Sequence, residues 1–131
     1  MIINEWDIER GIQVDRDATP EEVEDFNTQI SIEFQNQKAI YLDFVRVKRS
    51  AILDRLNGHA TRLLLDGVSD SDPKSVNCKS VIEDLLNITA IQSSLSATNL
   101  DDFCNAIRAE FQRIIGICDT DFIKAFRGIN I

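Results

Sequence analysis

Glycine and proline are scarce in this chain, five and two residues among 131. So few breakers leave little room for the many turns of a β-sandwich and favour few, long elements. Histidine occurs once, at His59, which excludes three-histidine metal sites and the paired Glu-x-x-His motifs of di-metal bundles. The three cysteines, Cys78, Cys104 and Cys118, form no C-x-x-C pair. Their spacing matches no usual zinc pattern even with His59 added, and they read as buried free thiols. There is no G-x-x-x-x-G-K-[ST] loop, G-x-G-x-x-G turn or G-x-S-x-G elbow. No apolar run approaches the roughly 20 residues that cross a bilayer. The opening Met1-Ile2-Ile3-Asn4-Glu5 meets acid at once and lacks the basic start of an export signal. The expected setting is therefore the cytoplasm, or a virion for a viral structural protein, and Asn87-Ile88-Thr89 is a chance match to a glycosylation site.

What is present is a 44% hydrophobic, 27% charged composition, that of an ordinary folded domain. The net charge of −8 is unevenly placed. Residues 1–35 hold ten acids and two bases, residues 36–65 two acids and six bases, and residues 66–131 ten acids and six bases. The resulting −8, +4 and −4 put acid at the start of the chain and base in its middle.

The stretch from Thr19 to about Asn57 reads as one long amphipathic helix. Thr19 suits the N-cap, Pro20 the first helical position, and Glu22 completes a Thr-x-x-Glu capping box. Val23, Phe26, Ile30, Phe34, Tyr41, Val45, Ile52 and Leu56 then share one stripe at 100° per residue. An eleven-residue repeat links Val23, Phe34, Val45 and Leu56, a period that gives a nearly straight or slightly right-handed supercoil. The stripe is narrow at first and broad later, so the helix is expected to be exposed first and buried second. Ile30–Phe34 and Ile40–Phe44 also alternate like strands, and an α+β alternative with a hairpin at 28–48 follows from that. The intervening Gln35-Asn36-Gln37-Lys38 has no glycine for the turn, which argues against it. Gly58 is expected to stop the helix, although Leu63-Leu64-Leu65 and Gly67 allow it to continue at a cost of ~1 kcal/mol.

Three shorter helices are expected at about 73–91, 99–118 and 120–127. Asp72 with Pro73 starts the first, Asn99 the second, and Asp119 or Thr120 the third. The second carries the clear apolar series Leu100, Phe103, Ile107, Phe111, Ile114 and Cys118. Residues 1–18 read as an extended arm: Ile12-Gln13-Val14-Asp15 alternates, but Gly11 and the Asp15-Arg16-Asp17 cluster leave little room for a strand. The fold class is thus all-α, an irregular helical bundle on one long N-terminal helix, with an arm at 1–18 and a single domain at 19–131. Phe44, Ile52, Leu56, Leu85, Phe103, Ile107, Phe111 and Ile114 are the expected core.

No constellation of residues carries catalysis. The adjacent acids Glu21-Glu22, Glu83-Asp84 and Asp101-Asp102 point about 100° apart on a helix, and two of these pairs sit at helix starts that favour acids. Nothing couples His59 to a nucleophile, and the acidic balance disfavours nucleic acid. The expected function is a non-enzymatic protein-interaction or assembly subunit, of the kind that builds viral or other multi-copy particles. A small acidic inhibitor or immunity-type protein that covers a basic partner is the alternative. The partner is a protein, self-association being the simplest form, with no cofactor, metal, membrane, nucleic acid or small-molecule substrate. The expected interface comprises Trp6, Val23, Phe26, Ile30, Phe34, Arg46 and Arg49.

Overall fold

The computed structural model of the chain describes the backbone of residues 2–7 and 12–131, and side chains from Arg16 onward. Two compact units emerge, residues 1–36 and residues 37–131, with the boundary falling within the long helix. In the first unit, β1 (Ile2–Asp7) and β2 (Ile12–Asp17) pair antiparallel with Ile2 opposite Asp17 and Trp6 opposite Gln13. The expected extended arm is therefore two strands. The Asp15-Arg16-Asp17 cluster did not prevent a strand, because a two-stranded pair has only edges, where charged residues are tolerated. Ile8 and Gly11 lie outside the described residues.

Helix α1 runs from Pro20 to Leu65, 46 residues, and is helical throughout 28–48, which removes the hairpin alternative. Its start follows the capping logic. The Glu22 amide donates to Thr19 Oγ1 at 3.2 Å and the Val23 amide to the Thr19 carbonyl at 3.0 Å. Its end lies eight residues beyond the expected stop. Gly58 is helical and exposed, and a Cβ there would meet nothing within 4 Å. The helix instead closes at Gly67, whose φ of +76° is the left-handed conformation that glycine adopts without strain. The Val68 amide bonds back to the Leu63 carbonyl at 2.9 Å and the Gly67 amide to Leu64 at 3.1 Å, the paired bonds of a Schellman cap. Leu63 and Val68 line the same small cavity, so the cap has its apolar contact too. That complete cap outweighs the ~1 kcal/mol penalty of a mid-helix glycine.

The second unit is an all-α bundle. The part of α1 from Gln37 onward is joined there by α2 (Pro73–Asn87), a one-turn α3 (Gln92–Leu95) and α4 (Leu100–Ile117). Asp72 Oδ1 accepts from the Lys74 amide at 2.9 Å and Asn99 Oδ1 from the Asp102 amide at 2.8 Å, so both expected N-caps are formed. The expected helix at 73–91 ends at Asn87 and passes into a 3₁₀ turn at Ile88–Ala90; the expected 120–127 helix is a 3₁₀ turn at Ile123–Phe126. The core joins Val45, Ile52 and Leu56 of α1 to Val81 and Leu85 of α2, Phe103, Ile107, Phe111 and Ile114 of α4, and Phe122, Phe126 and Ile129 of the C-terminal segment. Seven of the eight expected core residues are buried there. Phe44 is not: it lies about 100° round the helix from Val45 and falls off the core line.

Polar clamps fasten this bundle. Arg55 Nη1 donates to the carbonyls of Ala125 and Arg127 at 3.1 and 2.9 Å, tying α1 to the C-terminal turn. Asn77 of α2 donates to the Ile117 carbonyl and accepts from the Asp119 amide, both at 2.7 Å, closing the end of α4. Among the described residues, no helix is long and apolar enough to cross a membrane.

Two glycine substitutions test this account of α1. Gly58→Ala is expected to stabilise the protein by roughly 0.4–1 kcal/mol, because the site is open and helical. Gly67→Ala is expected to destabilise it by about 1–2 kcal/mol, the strain of a left-handed alanine. Urea denaturation checks both. A helix that really stopped at Gly58 would reverse the first sign.

Candidate interaction surface

The same helix that supplies core residues at Val45, Ile52 and Leu56 leaves large apolar side chains in solvent elsewhere. In the second unit these are Ile40 (71% exposed), Phe44 (43%) and Val47 (70%). Ile40, Tyr41 and Phe44, with Gln37 and with Leu100 and Cys104 of α4, line a groove of about 390 Å³. Its walls are nearly all carbon, because α4 begins at Leu100 with its own apolar stripe and sets that stripe against the side of α1. Tyr41 packs against Phe44 (ring centroids 6.1 Å) and edge-on to Phe103 (6.2 Å), which anchors the groove floor to the core. The Tyr41 hydroxyl is buried, and among the described residues no group meets it at full hydrogen-bond geometry. Burial raises the Tyr41 pKa, with the Arg108 charge opposing it; the guanidinium lies over the ring at 5.7 Å.

The rim of the groove is basic. Lys38 Nζ sits 4.9 Å from the centre of the Phe103 ring and Lys48 Nζ 5.4 Å from that of Phe44. Arg108 also donates to the Ile131 carbonyl at 3.1 Å. An aromatic floor with cations held over its rings is a surface suited to apolar side chains that carry acids beside them.

The first unit presents the opposite character. Phe26 and Ile30 are half in solvent, at 50% and 51%, and line one shallow hollow with Gln29, Ile32, Glu33 and Asn36. Exposed Glu21, Glu24 and Asp25 stand at the start of the same helical stretch. Residues 1–36 hold ten acids and two bases, while residues 37–131 hold twelve of each. The first unit therefore carries the whole net charge of −8, and the second is neutral.

The expected interface residues are only partly brought together. Phe26 and Ile30 share their hollow, while Val23 and Phe34 are half-buried. Arg46 pairs with Asp43 at 2.9 Å on the surface, and Arg49 donates to the Leu86 carbonyl at 3.1 Å, a clamp onto α2. Trp6 lies in β1, and its side chain is outside the described residues. The groove itself was missed from the sequence. Its signal was there in Ile40, Phe44 and Val47, at steps of four and three residues, but an apolar series beside the core stripe looks like a broader core.

Among the described residues no three His, Cys, Asp or Glu side chains gather to hold a metal ion. The three thiols are buried, and burial raises the pKa of each, Cys118 to about 11. Thiols so placed are protonated at neutral pH and weakly nucleophilic. His59 packs against Phe122, ring centroids 5.5 Å apart. No protein-family model matches the chain, and neither a curated protein nor a solved structure matches it.

An ion pair links β2 to the start of α1. Arg16 reaches both carboxylate oxygens of Glu22, at 2.8 and 3.0 Å, and Thr19 Oγ1 bonds the same carboxylate at 3.1 Å. The Arg16 hydrogen bonds, chiefly, hold the Glu22 pKa below its ordinary 4.5. The stabilisation is therefore full above pH 4.5 and is lost as pH falls through the lower folded value. Arg16→Ala is expected to move the Glu22 titration up toward 4.5 in a carboxyl NMR titration. An unchanged midpoint would show that the clasp does not form in solution.

Proposed function

We propose that this protein is a non-enzymatic interaction or assembly subunit that docks a protein through the apolar flank of α1. One observation carries the reading. Helix α1 buries Val45, Ile52 and Leu56 completely, yet leaves Ile40, Phe44 and Val47 in water beside a groove whose floor is already packed. Exposed apolar groups are normal when scattered; a run of them on one helix beside an apolar groove marks a place for another helix. Multi-copy particles, viral ones among them, are the setting in which a small subunit with two such surfaces is most useful.

The net −8 of residues 1–36 favours a second reading, an inhibitor that covers a basic partner with its acidic unit. That reading uses the first unit and leaves the groove without a purpose, so it explains less of the surface.

A photoreactive phenylalanine analogue placed at position 40 tests the proposal in the cell that makes the protein. Adducts with protein are expected at position 40 and not at the exposed control position Asp54. Adduct yields at position 40 no higher than at the control would contradict it. Adducts confined to a basic partner and to an analogue at position 25 would favour the inhibitor.

A further inference from the structure

We infer that the groove takes an amphipathic helix of another protein, with acids along the edges of its apolar face. This rests on the interaction reading above and names the chemistry of the partner. Every groove residue belongs to the second unit. Gln37, Ile40, Phe44 and Val47 follow one another on α1 at steps of three, four and three residues, the spacing of a coiled-coil seam. Gln37, Ile40 and Phe44 line the groove with Tyr41, and Leu100 and Cys104 of α4 complete it. Other apolar side chains of this unit are exposed too, among them Leu64, Leu65, Val76 and Leu86, but none of these lines the groove.

The walls decide the form of the occupant. They are side chains of two helices and nearly all carbon, so a partner's backbone finds no sheet edge to pair with. A segment laid there must satisfy its own N–H and C=O groups, which a helix does and an extended strand does not. From Gln37 to Val47 the seam rises about 15 Å, matching roughly three turns of the occupant. Ile40 and Val47 are 71% and 70% exposed. A small molecule seated in the hollow would leave most of that surface in water, whereas a helix laid along the seam covers it. Charge decides the flanks. Lys48 and Arg108 lie over the rings of Phe44 and Tyr41, both groove residues, and Lys38 lies over Phe103, against which Tyr41 packs. The acids next to groove residues in the chain are Asp101 and Asp43, the latter already paired with Arg46 at 2.9 Å. Asp or Glu beside the partner's apolar face meets these cations, and Lys or Arg there meets like charge.

Selection on the full-length chain from a displayed library of random peptides, each about four helical turns long, tests this. Enriched peptides are expected to carry large apolar residues at three- and four-residue steps, Asp or Glu beside them, and no internal proline. Made synthetically, they are expected to gain helical circular dichroism on binding. Ile40→Asp is expected to weaken their binding roughly tenfold or more, and Lys48→Glu about threefold. Val76→Asp, at an exposed site on α2 outside the groove, is expected to leave it unchanged. Unaltered circular dichroism of the free variants confirms that each is folded. Enriched peptides that are extended or basic, yet lose binding to Ile40→Asp, overturn the inference and leave the interaction reading standing. Peptides indifferent to Ile40→Asp, or no enrichment at all, also overturn it, and cross-linking at position 40 then judges the interaction reading by itself. So does a dimer in light scattering that Ile40→Asp abolishes, which puts a second copy in the groove. Native mass spectrometry that finds a small apolar molecule seated there overturns both.

Discussion

Everything in the second unit depends on the burial of one line of side chains on α1. Val45, Ile52 and Leu56 reach the core at spacings of seven and four residues. Residues on that line are buried; Phe44, about 100° away, stays 43% exposed. The Cys78 thiol lies 3.7 Å from the Leu56 carbonyl, and Arg49 and Arg55 extend the attachment to Leu86, Ala125 and Arg127. With its rotation about its own axis set by these contacts, α1 has no freedom to hide Ile40, Phe44 or Val47. The exposed flank is thus a consequence of the core, not a separate feature added to it.

The division of charge has the same economy. Acids at the start of α1 and bases further along suit the helix dipole only modestly, by a few tenths of a kcal/mol each. The basic residues of α1 are also partly committed: Arg49 and Arg55 clamp neighbouring backbone, Arg46 pairs with Asp43, and Lys48 covers Phe44. In the first unit the Arg16–Glu22 clasp has a comparable structural use. Glu21, Glu24 and Asp25 stand in solvent on the same helical stretch as Phe26 and Ile30, where their charge favours solubility.

Much of this was legible in the residues. Thr19, Asp72 and Asn99 announce their helix starts because short polar side chains satisfy free amides at a fixed offset. The α4 stripe is legible because its apolar residues recur at three- and four-residue steps with little competition. Phe44 was misread for a physical reason. A residue next to the core line and one on it differ only in which neighbour arrives, and that is settled by Leu100 and Cys104, more than fifty residues later. Gly58 was misread because a local penalty of ~1 kcal/mol is smaller than the gain from a complete cap at Gly67. The strands at Ile2–Asp7 and Ile12–Asp17 were hidden because pairing, not local pattern, makes a two-stranded ribbon.

The most direct measurement of the central claim, that one line of α1 is core while its flank stands in solvent, is urea denaturation of two alanine variants of the same residue type. Ile52→Ala is predicted to cost about 2–5 kcal/mol and Ile40→Ala less than about 0.5 kcal/mol. Equal losses at the two positions would contradict it.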